Sequence, residues 1–206
     1  MLSRAVAVLR AAEVFDRIIV STDDDEIADV ARAAGAEVPF RRPADLAGDF
    51  AGTLPVIAHA IREVTGSGAA PALVCCAYPA AVLSRPIDIR AARDLMRGEG
   101  IDYVFTATSF PYPIQRALRR TADGFSQMMW PEHREARSQD LEPAYHDAGQ
   151  FYFGLSAAWL ESRPIFGPRS RMLILPRNRV QDIDTLEDWE RAEAIFQLSA
   201  ADSTDG

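Results

Sequence analysis

Short apolar runs recur along this chain with helix-length stretches between them, and that alternation limits the possible folds more than any other feature. RIIVS (17–21) is a β-branched run bounded by acidic turn residues, and LVCC (73–76), YVFTATS (103–109), GQFYFG (149–154) and MLIL (172–175) follow it. Ahead of the first run, Leu2, Val6 and Leu9 recur at helical spacing, so the chain opens helix then strand. From Asp23 to Gly35 the spacing places Ile27, Val30, Ala31 and Ala34 on one helical stripe, with Asp23 or Asp24 as N-cap and Gly35 as the stop. Further helices are predicted over Thr53 to Val64, from Pro86 into IDIRAARDLM, around Trp159, and from Thr185 to Gln197, where Thr185 and Asp188 form a capping-box pair. Strands alternating with helices in this way predict an α/β fold on a parallel sheet.

The middle third breaks the alternation. SFPYPIQRALRR, a turn at Asp123-Gly124 and FSQMMWPEH together read as an inserted hairpin or lobe over about 106–150. The remainder forms one domain over 1–198, long enough to bury a core, and 199–206 reads as a flexible tail. With 22 basic and 30 acidic residues the net charge is −8, which argues against a general nucleic-acid binder. No apolar run approaches the length needed to cross a bilayer, and the first fifteen residues carry Arg4, Arg10 and Glu13 inside their apolar pattern, unlike a secretion signal. Cys75 and Cys76 are neighbours within a strand, which points to reduced thiols and a cytoplasmic protein rather than a bridge or metal knuckle.

Three segments could carry chemistry. In VQDIDT, Asp182 and Asp184 are two residues apart, so in extended backbone both carboxylates face one side and suit a hard cation such as Mg²⁺. The same pair could instead be an acidic cap on the helix that follows. In RRPADLAGDFAGT, Arg41 and Arg42 could grip a phosphate or base carbonyl, and Thr53 at a helix start could add a hydroxyl; a solvated loop with an N-cap is the alternative. The third, EARSQDLEPAYHDAGQFYFG, gathers Arg137, Gln139, Asp140, His146, Asp147 and Tyr152, a donor set suited to a ligand with a carboxylate and several hydroxyls. His59 and His133 lack a third ligand at zinc spacing, and Trp130, Trp159 and Trp189 read as packing residues. No nucleophile elbow, Walker loop or dinucleotide fingerprint is present.

Four segments in order, FDRIIVSTDDDEIADVARAAGAEVPFRRPADLAGDFAGT, ATSFPYPIQRAL, RSQDLEPAYHDAGQFY and RVQDIDTLEDWERAE, resemble the acylneuraminate cytidylyltransferase family, most closely its pseudaminic acid cytidylyltransferases. The resemblance implies a three-layer α/β/α, Rossmann-like nucleotide-diphospho-sugar transferase fold with a mostly parallel sheet, and a homodimer. It implies CMP transfer from CTP to a nonulosonic acid with release of pyrophosphate, feeding surface glycan or flagellin glycosylation. By position, Arg42 and Thr53 look like nucleotide contacts, Asp182 and Asp184 like the magnesium carboxylates, and Arg137, Gln139, Gly149, Tyr152, His146, Asp147, Gln115 and Tyr78 like sugar-pocket residues, with Arg137 also catalytic. The pseudaminate preference rests on SFPYPIQRAL and YHDAGQFY, since sialic acid enzymes carry a QPTSPLR-like turn where this chain has YPAAVLS. Family members begin with an apolar strand and a glycine- and basic-rich phosphate loop ahead of the helix with which this sequence starts. The resemblance therefore leaves three readings open: an enzyme whose first strand and loop are not in this sequence, a truncated non-catalytic paralogue acting as a binding module, and a cytidylyltransferase for another sugar acid such as N-acetylneuraminate.

Overall fold

A computed structural model describes residues 1–48 and 50–201, with side chains described through Leu198. Helix α1 (Leu2–Ala12) turns its Val6, Val8 and Ala12 inward and ends at Glu13 in a left-handed conformation. The predicted strand at 17–21 is reduced to one parallel bridge between Ile19 and Glu37, because its pairing stops after two bonds: Val20 N–H donates to the Glu37 carbonyl and Glu37 N–H to the Ile18 carbonyl. Helix α2 (Asp25–Ala33) is capped by Asp24, whose carboxylate accepts from Ile27 N–H at 2.8 Å, and it stops before Gly35 at φ +89°. Its buried face differs from the expected stripe. Ala28 and Ala31 are buried while Ile27 and Val30 are nearly half exposed, since small side chains let α2 lie close against Val6 of α1.

Helix α3 (Thr53–Thr65) leads to β1 (Leu73–Ala77), and α4 (Pro86–Leu95) starts on its proline as expected. After β2 (Tyr103–Ser109) the chain leaves the sheet for a lobe containing the short hairpin β3 (Leu118–Arg120) and β4 (Ser126–Met128), which turns at Gly124. It returns as β5 (Tyr145–Leu155), followed by α5 (Ser156–Leu160), β6 (Ser170–Ile174) and α6 (Leu186–Ala201). Helix α6 thus continues into the segment read as a tail, and residues 202–206 lie outside the described residues.

Among the described residues the main sheet has the order β1-β5-β2-β6. β5 runs antiparallel to both β1 and β2, and β2 runs parallel to β6, so β1, β2 and β6 share a direction that β5 alone opposes. The lobe causes that reversal: no crossover helix separates β2 from β5, so the chain doubles back as an antiparallel neighbour. Side chains alternate across the sheet. Val104, Phe151 and Phe153 meet Val8 and Ala12 of α1 and Ile89 and Ala92 of α4 on one face. Tyr103, Phe105, Cys76 and Tyr152 meet Ile61 of α3 and Ala158 and Trp159 of α5 on the other. The architecture is therefore three layers, α/β/α. Of the tryptophans only Trp159 is core, fully buried against the Tyr103 ring at 5.0 Å; Trp130 and Trp189 are exposed.

Candidate active site

The carboxyl ends of β1, β2 and β6 meet the amino end of β5 at one edge of the sheet, the edge at which open α/β sheets bind ligands. Tyr78 follows β1 there, Asp147 and Gly149 lie at the start of β5, and Asp182 and Asp184 follow β6. β5 reaches this edge through a bulge: Phe105 pairs with Tyr152 but Ala107 pairs with Asp147, so β5 carries extra residues between those partners. Bulges re-aim side chains and recur beside active sites.

A chain of hydroxyls crosses the site. Thr53, the first residue of α3, shares a 2.5 Å hydrogen bond with the Tyr78 hydroxyl. The Tyr78 ring packs edge-on to Tyr152 at 5.5 Å, and the Tyr152 hydroxyl donates to Asp147 Oδ2. Asp147 Oδ1 accepts from Gly149 N–H at 3.1 Å, closing an Asx turn inside the bulge. Burial, followed by the bond to Asp147, pushes the Tyr152 hydroxyl far above its ordinary value, so it is a proton donor throughout the physiological range. Burial raises Tyr78 as well. Thr53 also places the amino end of α3 at this edge, with no acidic residue in its first turn, a setting that favours an anion.

Gly149 adopts φ +61°, and a Cβ there would lie 3.7 Å from Asp182 Oδ1. That contact brings the β5 bulge and the segment after β6 together. The hydrogen-bonded cap of the following helix is made by other residues than the two aspartates. Helix α6 is capped by Thr185 and Asp188: Asp188 Oδ2 accepts from Thr185 N–H at 3.0 Å and from its hydroxyl at 2.7 Å, and Thr185 Oγ1 accepts from Asp188 N–H at 3.3 Å. The Asp182 carboxylate accepts from the adjacent Ile183 N–H at 3.1 Å, and the Asp184 side chain has no hydrogen-bond or ion-pair partner among the described residues. Two exposed hard carboxylates, one of them beside a glycine that leaves room, are donors of the type Mg²⁺ takes. Among the described residues no group of three or more acidic, histidine or cysteine side chains forms a metal cluster.

Other expected site residues stand apart from this cluster. Arg42 Nε donates to Ser21 Oγ at 3.1 Å and its Nη2 to the Ser21 carbonyl, so its guanidinium is engaged beside β1, while Arg41 pairs with Asp25 at the start of α2. Arg137 is in the lobe, exposed, and binds Asp140 at 2.7 and 3.0 Å. Gln139 lies in the same exposed turn. The His146 ring packs tilted at 60° against Phe110 at 4.8 Å, with Nδ1 2.9 Å from the Asp147 carbonyl. Gln115 donates to the Glu142 carbonyl at 2.9 Å and leaves its Oε1 buried without a partner among the described residues. Of the RPADLAGD segment, Asp49 lies outside the described residues. Burial pushes the Cys76 thiol up to about 12 and raises Cys75 well above its usual value, so neither suits a nucleophile.

The sequence reading passed over one group. Gln150, 3% exposed, donates to the Arg179 carbonyl at 2.7 Å and accepts from Ser84 at 3.1 Å, and Arg179 forks onto Asp88 at 2.6 and 3.2 Å. The available signal was a glutamine inside the otherwise apolar run GQFYFG, since a polar residue in a buried strand needs partners.

Comparison with known proteins bears on the family and the fold. The Cytidylyltransferase family profile matches residues 1–83. The chain is 40% identical over 186 residues to the pseudaminic acid cytidylyltransferase of Campylobacter jejuni, covering 90% of this chain and 80% of that protein. It is 33% identical over 198 residues to a Helicobacter pylori protein named pseudaminic acid cytidylyltransferase and UDP-2,4-diacetamido-2,4,6-trideoxy-beta-L-altropyranose hydrolase, covering 96% of this chain and 38% of that longer one. Its fold is similar to that of CMP:2-keto-3-deoxy-manno-octonic acid synthetase solved with CTP, with a TM-score of 0.61 at 12% identity over 96% of this chain and 88% of that one. With the three-layer fold, the paired aspartates after β6 and identity sustained over most of the chain, this protein belongs to the cytidylyltransferase family.

Proposed function

We propose that this protein transfers CMP from CTP to a nonulosonic acid, pseudaminic acid, releasing pyrophosphate, and so supplies an activated sugar for surface-glycan or flagellin glycosylation. The observation that carries the reading is the Asp182–Asp184 pair, neither of which makes the α6 cap, with Asp182 set beside Gly149 at the ligand-binding edge of the sheet. The anomeric hydroxyl of the sugar attacks the α-phosphorus of CTP; the new P–O bond forms as the bridging bond to the β-phosphate breaks, pyrophosphate departs, and the hydroxyl proton passes to water. Mg²⁺ held by Asp182 and Asp184 would neutralise charge developing on the phosphates. Thr53 and the amino end of α3 would orient the nucleotide, with Arg42 released from Ser21 as a further cation.

Tyr78, Tyr152 and Asp147 would line the approach of a polyhydroxylated acid, with His146 next to Asp147 and Gln115 in the lobe as its further expected contacts. Arg137 and Gln139, in the exposed turn of the lobe, would meet the sugar carboxylate once the Arg137–Asp140 pair opens. Exposed apolar residues of the lobe, Tyr112, Leu118 and Phe125, suit burial against a second copy, in keeping with a homodimer. Two unpaired buried thiols suit the reducing cytoplasm.

The test is pyrophosphate release from CTP and Mg²⁺ with a panel of sugar acids. Turnover with pseudaminate is expected, falling at least about 100-fold in Asp182→Ala. Turnover confined to N-acetylneuraminate or another acid would reassign the substrate, and full activity in Asp182→Ala would return that residue to a surface role.

A further inference from the structure

We propose that Gln150 and the Asp88–Arg179 pair are positioning residues that hold the segment from Arg179 to Asp184 so that the Asp182 carboxylate stays against the β5 bulge. The inference rests on the reading of Asp182 and Asp184 as the carboxylates of a divalent-cation site.

The segment after β6 has little else to fix it. Asp182 and Asp184 are exposed, and neither belongs to a helix or strand. Upstream, the Arg179 carbonyl is held at 2.7 Å by Gln150 Nε2, and the Arg179 guanidinium forks onto both oxygens of Asp88 at 2.6 and 3.2 Å. Downstream, Gln181 ties the Asp182 carbonyl at 2.8 Å to Asp188 of the α6 cap at 2.9 Å. Every upstream anchor is shielded: Gln150 is 3% exposed, and the Asp88 and Arg179 side chains are 12% and 14% exposed. A bidentate Arg–carboxylate pair away from solvent fixes direction as well as distance.

The placement of Gln150 is what links the anchor to the site. It is the residue after Gly149, beside whose open Cβ position the Asp182 carboxylate lies, so one stretch of the β5 bulge neighbours the carboxylate and bonds the segment bearing it. Its other end is fixed by Ser84 Oγ at 3.1 Å just before α4, the helix that carries Asp88. Ser84, Gln150, Arg179 and Asp88 therefore close a polar loop that sets the separation between β5 and the 179–184 segment. Partners of this kind behind metal-bearing carboxylates govern affinity although they do not touch the ion.

The test uses the intact chain and Mn²⁺ as probe, with free Mn²⁺ followed by electron paramagnetic resonance well below the melting temperature. Three variants are compared with the parent: Gln150→Ala, Arg179→Lys, which keeps the charge and loses the fork, and Asp182→Ala. Loss of binding in Asp182→Ala together with about tenfold weaker Mn²⁺ in Gln150→Ala or in folded Arg179→Lys supports the proposal. In turnover, the same variants should raise the Mg²⁺ concentration for half-maximal rate and leave the sugar-acid KM in place. If Asp182→Ala abolishes binding while the other two bind as the parent does and only melt earlier, the anchors are structural and the proposal falls. If Asp182→Ala binds Mn²⁺ as the parent does, the cation reading fails first and takes the positioning role with it.

Discussion

Replacing Gly149 by alanine tests the site at the point where two chain segments touch. Gly149 has φ +61°, and a residue with a Cβ in the left-handed region costs about 1–2 kcal/mol. The added Cβ would stand 3.7, 3.8 and 3.9 Å from Asp182 Oδ1, Cγ and Oδ2, all ordinary van der Waals contacts, so sterics add nothing to that cost. For a domain of this size about 1 kcal/mol shifts Tm by roughly 2–4 °C, so Gly149→Ala should lower Tm by about 2–8 °C. The same methyl removes water from one side of the Asp182 carboxylate, and the Mg²⁺ needed for half-maximal pyrophosphate release should rise. Differential scanning calorimetry and a Mg²⁺ titration measure the two effects. Gly149→Asn separates them, because asparagine tolerates the left-handed region and should recover part of the Tm while still crowding Asp182. An unchanged Tm in Gly149→Ala would refute the backbone argument, and an unchanged Mg²⁺ requirement in both variants would refute the placement of Gly149 beside a working Asp182.

Asp102, 3% exposed, accepts from Arg169 at 2.8 and 3.0 Å and from Arg163 at 2.8 Å, and the Arg169 bond above all holds its carboxyl below the ordinary 3.8. A depressed carboxylate adds stability above its unfolded pKa and loses it as pH falls through the folded one, so Asp102→Asn should melt earlier at neutral pH and the gap should close below about pH 4; a gap constant with pH would contradict this. Gly154 packs under two rings: a Cβ there would fall 2.6 Å from two Tyr103 ring carbons and closer still to Trp159 Nε1. Gly154→Ala should cost about 1–3 kcal/mol in a urea melt through overpacking, and no loss would mean that Trp159 can shift.

What could be read from the sequence was local. The caps at Asp24 and at Thr185 with Asp188, the proline start of α4 and the stop at Gly35 depend on neighbours a few residues apart, and each formed as expected. The Asp182–Asp184 spacing was equally local, but whether it was a cap or a cation site was not. Folding added what the spacing lacks: it gave the hydrogen-bonded cap to Thr185 and Asp188 and set Asp182 beside Gly149.

The direction of β5 was hidden for a related reason: an apolar run reads the same in either direction, and only the lobe's path from Ser109 back to Tyr145 makes it antiparallel. Which face of α2 is buried depended on how closely α1 approaches, which favoured Ala28 and Ala31 over the larger Ile27 and Val30. The anchor of Ser84, Gln150, Arg179 and Asp88 joins residues up to 95 positions apart in a sequence of 206, as read from their numbers. Composition and periodicity thus determined which elements form and where they end. Pairing partners, buried faces and the convergence of distant polar groups follow from long-range packing, which no local window of the sequence contains.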